Sequence, residues 1–90
     1  KLSSVRQLST LPARLFPNPA SGQCFLKLPH SLRFLKLVDA YGRVIWQAPP
    51  TLLEPTTAPR PIPLQGLPSG VYQVQGGNSN GVFSRNLVVQ

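Results

Sequence analysis

Few side chains in this 90-residue chain could carry out chemistry, and they do not combine into a reactive site. A hydrolase needs a nucleophile, a base and a group that orients the base. The only histidine, His30, lies in a Pro-His-Ser turn, and the only cysteine, Cys24, alternates with leucines as a buried strand residue does. The two carboxylates, Asp39 and Glu54, fall in a turn and in a proline-rich loop, which argues against paired acid–base catalysis. No His pair or Cys-x-x-Cys spacing is present, so we expect a non-enzyme without cofactor or metal.

The charge balance is strongly basic. Nine lysines and arginines stand against two carboxylates, which gives a formal net charge of +7 at pH 7. This charge permits attraction to nucleic acid, anionic lipid or an acidic polysaccharide. The basic residues are spread along the chain without a run of five, and this favours a solvated surface over a binding tail. Because no RNA-binding motif or clustered basic helix accompanies the charge, we predict no nucleic-acid partner.

The aromatic residues indicate core filling rather than a ligand site. They are scattered about one to each short apolar run or turn, as expected in a small sandwich. A platform for stacking bases or sugars at Phe25, Phe34 or Trp46 stays open as an alternative. No apolar run approaches the roughly 18 residues of a membrane span, and the first ten residues lack the apolar core of a signal peptide. We therefore predict no transmembrane segment and a domain that is part of a longer protein.

The elements that would position these residues are short strands. Apolar runs with a period of two alternate with turn signals, and no window holds a helical period. About seven such runs predict a small antiparallel β-sandwich, with a linker over residues 1–12 and the domain over residues 13–90. The runs cover residues 13–16, 23–28, 33–39, 43–48, 60–65, 70–75 and 82–90. The fifth carries prolines, which confine it to a sheet edge.

The connections carry specific turn chemistry. Pro17 and Pro19 stiffen a non-helical corner in which Asn18 is expected to bond the nearby backbone as an Asx-turn. The segment "DAYG" predicts a tight hairpin closed by Gly42, and "LPSG" predicts a similar turn before Gly70. The segment "GGNSNG" at 76–81 predicts a loose, mobile loop. The six prolines in residues 48–63 predict an extended crossover between the two sheets.

Four of these motifs together resemble a known family. "LFPNPASGQ", "VDAYGRVI", "LPSGVYQVQ" and "RNLVVQ" follow one another in the order found in type A C-terminal sorting domains of the type IX (Por) secretion system of Bacteroidetes. The resemblance covers residues 15–90. It implies an all-β, immunoglobulin-like antiparallel sandwich of about seven strands. It also implies a non-catalytic signal that directs its parent protein across the outer membrane to the cell surface.

The resemblance also implies which residues matter and where the protein works. The domain would pass through the periplasm and reach the outer-membrane surface or the extracellular space, with the translocon and sortase as partners. The last strand and its hairpin partner would be read by the machinery, by pairing at a sheet edge. The expected fold-defining residues are Pro17, Asn18, Pro19, Asp39, Gly42, Arg43, Gly70 and Tyr72. The expected recognition residues are Val82, Phe83, Arg85, Leu87, Val88 and Val89.

Two further interpretations stay open. Some members of the family keep the domain and bind anionic lipopolysaccharide with it, and the charge of +7 suits lipopolysaccharide or another acidic glycan. An exposed edge strand could also pair with a second copy of the chain.

Overall fold

The computed structural model describes residues 9–90, and their regular elements are almost all strands. A single turn of 3-10 helix interrupts them at Pro50–Leu52. The strands are β1 (Ser9–Thr10), β2 (Arg14–Phe16), β3 (Gln23–Lys27), β4 (Phe34–Val38), β5 (Val44–Gln47), β6 (Arg60–Pro63), β7 (Gly70–Asn78) and β8 (Gly81–Val89).

The strands form two sheets, which confirms the predicted β-sandwich. One sheet has the order β1-β8-β7-β4-β5 and the other has the order β2-β3-β6. All neighbours are antiparallel except β1, which runs parallel to β8. The seven predicted strands are all present, and β6 lies at a sheet edge as its prolines require. The two-residue β1 is an additional strand, formed inside the segment expected to be a linker.

The core lies between the sheets and follows the period of two. Leu35 and Leu37 of β4 are buried, and they face Cys24 and Leu26 of β3 within one core cluster. Because successive side chains of a strand point to opposite faces, strands β3, β4 and β7 contribute alternate residues to this cluster. Burial of one such leucine stabilises the fold by roughly 1.5–3 kcal/mol. The aromatic residues depart from the expectation of core filling, since only Tyr72 and Phe83 are buried and the rest are half-buried or exposed: Phe16, Phe25, Phe34, Tyr41 and Trp46.

The glycine-rich segment at residues 76–81 is not a loose loop, and that prediction was wrong. Gly76 and Gly77 are buried residues of β7, and only two residues separate β7 from β8. A Cβ atom added at Gly76 would lie 2.6 Å from the ring of Phe83, which faces it across the hairpin. Glycine is needed here because an aromatic ring packs directly on the backbone, and not because the chain must be mobile.

The proline-rich crossover leads from β5 in one sheet to β6 in the other, as predicted, although a 3-10 turn interrupts its extended course. Arg60 at its end is only 1% exposed, so its assignment to the solvated surface was wrong. Its guanidinium donates hydrogen bonds to the carbonyl oxygens of four residues outside β6, and this joins the crossover to the β3–β4 connection. The acceptors are Leu28, His30, Leu52 and Glu54.

Candidate functional site

All four motifs that carry the resemblance meet at one end of the five-stranded sheet. In the strand register, Val38 lies opposite Gln73 and Gly70 lies opposite Val89, so the turn after β4 and the turn before β7 lie beside the end of β8. Ala20, from the proline corner, bridges to Val89 at the same place. We call this region, formed by residues 18–20, 39–43, 67–72 and 86–90, the motif end.

The β4–β5 turn is organised by the side chain of Asp39. One carboxylate oxygen accepts the backbone N–H groups of Tyr41 at 2.9 Å and Arg43 at 3.0 Å, and the other accepts Nε of Arg43 at 2.9 Å. The backbone N–H of Arg43, helped by its guanidinium, holds the pKa of Asp39 below its ordinary value. Gly42 completes the turn at a φ of +84°, a conformation that favours glycine. Arg43 thus serves the turn through its backbone as well as its charge.

Tyr72 fixes the turn that precedes β7. Its ring is buried, and its hydroxyl donates a 2.6 Å hydrogen bond to the carbonyl of Pro68, four residues earlier. This arrangement resembles the tyrosine corner of immunoglobulin-like sandwiches, in which a tyrosine bonds the backbone just upstream of its strand. The contact ties Tyr72 to the turn that contains Pro68.

Asn18 joins the proline corner to the last strand. Its Nδ2 donates to the carbonyl of Asn86 at 2.9 Å, and its Oδ1 accepts the N–H of Val88 at 3.2 Å. The backbone of Ala20 continues the contact, with its N–H bonded to the Val88 carbonyl and its carbonyl to the N–H of Gln90. The expected local Asx-turn was therefore wrong, because both partners of the Asn18 side chain lie about 70 residues away along the chain. Pro17 and Pro19 are exposed and hold the corner from outside.

Loss of the Asn18 side chain should loosen the last strand. We expect Asn18→Ala to lower the free energy of unfolding by about 1–2 kcal/mol, because two hydrogen bonds to the backbone are removed. Hydrogen exchange at the Val88 amide should accelerate more than exchange in β4. The matched control is Asn86→Ala, which keeps the backbone carbonyl that Asn18 binds and should cost less than about 0.5 kcal/mol. Equal destabilisation by the two variants would contradict the stabilising role of the Asn18 hydrogen bonds.

The outer edge of β8 is covered along most of its length. Leu11 donates its N–H to the Val82 carbonyl at one end, and residues 18–20 cover the other end. Between them, Arg85 donates from Nη1 to the Ser84 carbonyl and from Nε to the Ala13 carbonyl. In this conformation the edge of β8 does not offer a row of free backbone groups to a partner strand.

The expected recognition residues of β8 divide into two groups. Phe83, Leu87 and Val89 are buried in the core, whereas Val82 and Val88 are exposed on the outer face of the sheet. Arg85 is half-buried over the N-terminal segment. A partner can touch the exposed pair directly, while the buried residues act only by holding the strand in place.

A cleft of about 530 Å³ opens at the motif end between the β4–β5 turn and residues 67–72. Four of the expected residues line it: Asp39, Arg43, Gly70 and Tyr72. Sequence reasoning missed four exposed apolar residues that also line the cleft: Tyr41, Val44, Ile45 and Val71. Tyr41 (86% exposed) and Val71 (53% exposed) are the most exposed of them. For Val44 and Ile45 the signal was present in the run Val44-Ile45-Trp46, since a strand with apolar residues on both faces cannot bury all of them in a single core.

The residues that could do chemistry lie apart from this cleft. Cys24 is buried in the core, where desolvation raises the pKa of its thiol, and His30 is exposed. Within residues 9–90, no three His, Cys, Asp or Glu side chains lie close enough together to hold a metal ion. The part of the chain that the structure describes also has no helix of sufficient length and apolar character to cross a membrane.

The chain folds as a β-sandwich whose motif end exposes turns and apolar side chains. The chain belongs to the secretion system C-terminal sorting domain family, whose family model matches residues 14–90. This confirms the resemblance that the four motifs carry. No curated protein and no solved structure matches the chain significantly. The family is one of sorting signals rather than enzymes, and membership identifies a type IX secretion signal that serves export across the outer membrane toward the cell surface or the extracellular space.

Proposed function

We propose that the type IX machinery reads this domain at the motif end while its parent protein moves from the periplasm to the cell surface. The observation that carries the proposal is the convergence of four motifs, distant in sequence, on one end of one sheet. Three exposed apolar side chains, Tyr41, Val71 and Val88, lie at that same end. The translocon and the sortase are the proposed partners.

The direction of the chain supports this proposal. Ser9 lies opposite Gly81, at the end of the sheet where β7 turns into β8. The described part of the chain therefore begins at the end of the sheet opposite the motif end, and its first strand does not cover the motif end.

A reporter assay tests the proposal with two matched valines. Residues 1–90 fused to a periplasmic reporter should reach the surface of a type IX-competent host. Val71 at the motif end is 53% exposed. Val82 is 42% exposed on the same face at the opposite end, and although it is one of the expected recognition residues, the proposal leaves it outside the site. We expect Val71→Asn to reduce surface reporter about tenfold and Val82→Asn to change it less than about twofold, because a substitution outside an interface is energetically small.

The result is interpreted on folded variants only, so the thermal unfolding of each purified domain is compared with that of the unmodified domain. Equal export by the two variants would overturn the assignment of the motif end. Failure of the unmodified fusion to reach the surface would overturn the proposed function itself.

The alternative of a retained module for anionic lipopolysaccharide or another acidic glycan depends on the net charge of +7 alone. No contact or cleft among residues 9–90 singles out such a ligand.

A further inference from the structure

The outer edge of β5 is the one strand edge of the described chain that has no feature to prevent pairing with another strand. Within residues 9–90, β5 pairs only with β4, and it ends the five-stranded sheet. Natural proteins blunt such edges with prolines, charges, very short strands or covering segments. The other edges have these devices, since β6 contains Pro61 and Pro63, β2 has three residues, β1 has only two, and the part of the β8 edge beyond β1 is covered. The four residues of β5 include neither a proline nor a charge.

The side chains of β5 are unusually apolar for an exposed edge. Val44 is 47% exposed and Ile45 is 40% exposed, while Trp46 is half-buried against the core. A register shift opposite Leu37 and Val38 places an extra residue in β5. Because successive side chains of a strand point to opposite faces, the consecutive apolar residues of β5 place apolar side chains on both faces. The motif-end cleft of about 530 Å³ borders this half of the strand.

The backbone direction at this edge follows from the ladder. The N–H of Ala48 donates to the Leu35 carbonyl at 2.8 Å, and Trp46 pairs with Leu37. Because residues of an antiparallel strand alternate between facing the partner and facing away, the N–H and C=O groups of Gln47 point to the open side. These groups are available to hydrogen-bond an additional strand.

We propose that the β5 edge accepts an extended, acidic strand of a protein partner by β-augmentation. In that mode the backbone hydrogen bonds supply affinity and a neighbouring pocket selects an apolar side chain, a role that the cleft beside Val44 and Ile45 can serve. The inference rests on the proposed function for the partner's identity, which would be a component of the secretion machinery.

Charge decides between an acidic partner and a second copy of this chain. Two copies of the chain would each carry a net charge of +7, and such like charge opposes their association. Lys36 lies opposite Gln47 on β4, and Asp39, the carboxylate beside this edge, is already paired with Arg43. A strand with glutamates between its apolar residues complements this surface.

The probe for the test is a capped synthetic peptide in which valine and glutamate alternate. Trp46 is the only tryptophan and lies in β5, so its fluorescence reports binding. We expect saturable binding of this peptide that weakens as salt is raised, and new protection of the Gln47 amide from hydrogen exchange. A control peptide in which valine and lysine alternate should bind at least about tenfold more weakly.

Gln47→Pro removes the outward N–H and should weaken binding about tenfold, whereas the control Gln47→Ala keeps this group and should change binding less than about twofold. If Gln47→Pro disturbs the fold, Ile45→Glu tests the same edge without altering the backbone. This variant should also bind the acidic peptide more weakly. Absence of binding, or equal binding by both Gln47 variants, would overturn the inference. A concentration-dependent dimer that Gln47→Pro abolishes would overturn it in favour of a second copy.

The export assay separates this inference from the proposed function. If the unmodified reporter reaches the surface and Val71→Asn blocks it, but Gln47→Pro exports normally, the β5 inference is wrong and the proposed function stands. If the peptide binds but the unmodified reporter is not exported, the proposed function is wrong.

Discussion

Replacement of Arg60 by methionine should lower the free energy of unfolding by about 3–5 kcal/mol, a large part of the total stability of a domain of this size. The guanidinium binds the carbonyls of Leu52, His30 and Glu54 at 2.7–2.8 Å, and Nη1 also binds the Leu28 carbonyl. These acceptors belong to the backbone, so no side-chain substitution removes them together with the arginine. Methionine can replace the apolar stem but would leave the carbonyls without their donor.

Arg60 differs from a member of a buried ion pair because its partners are backbone carbonyl groups, which no substitution removes. Apolar replacement of a whole buried ion pair can be neutral, because both charges disappear together. No carboxylate within residues 9–90 pairs with Arg60. Burial lowers the pKa of its guanidinium from the ordinary value, so the carbonyl dipoles are what stabilise its charge. Arg60→Lys should be intermediate, since an ammonium keeps the charge but cannot reproduce the planar fork of donors.

Urea unfolding measures the effect, with Arg33→Met as the matched control. Arg33 is exposed and its substitution should cost less than about 0.5 kcal/mol. An Arg60→Met midpoint equal to that of Arg33→Met would show that the carbonyl contacts contribute little. In the export assay, Arg60→Met should fail for lack of a stable fold, although it leaves the motif end chemically unchanged.

Adjacent residues of the last strand should separate folding from recognition. Leu87 is fully buried, and Leu87→Ala should lower the free energy of unfolding by about 2–5 kcal/mol through the cavity that it leaves. Val88 is exposed at the motif end, and Val88→Thr retains a β-branched side chain of similar shape, so stability should change by less than about 0.5 kcal/mol. If the machinery reads the motif end, Val88→Thr should nevertheless reduce surface export about tenfold.

Comparison of Leu87→Ala with Val88→Thr is more informative than truncation of the last strand. Removal of residues 87–90 takes Leu87 and Val89 out of the core and breaks the bond between Gln90 and Ala20, so any loss of export could reflect unfolding. With the two point variants, denaturant unfolding reports stability and surface labelling reports export. Normal export by folded Val88→Thr would remove Val88 from the recognition surface.

Local sequence patterns predicted most of the strands and the family to which the chain belongs. The alternation of Leu35 and Leu37, or of Cys24 and Leu26, depends only on the period of a strand, and the structure buries those residues. The Asp39–Gly42 turn also follows from residues that contact one another within the turn. Such features are predictable because their energetics are local in the chain.

Three misassigned features depend on partners outside their own short segment. Whether Gly76 belongs to a mobile loop or a strand depends on the ring of Phe83, and the role of Asn18 depends on Asn86 and Val88. The burial of Arg60 requires carbonyls from two separate connections to converge on it. Glycine, asparagine and arginine each suit several environments, so their types alone do not select one.

The sequence by itself thus determined the strands, the turns and membership in the sorting-domain family, because alternation and turn chemistry act over a few residues. The tertiary structure decided that "LFPNPASGQ", "DAYG" and "LPSG" meet beside the last strand, that the edge of β8 is covered and that the edge of β5 is open. These outcomes follow from the order in which strands pair within each sheet. That order is set by long-range packing of the two sheets, which no single segment encodes.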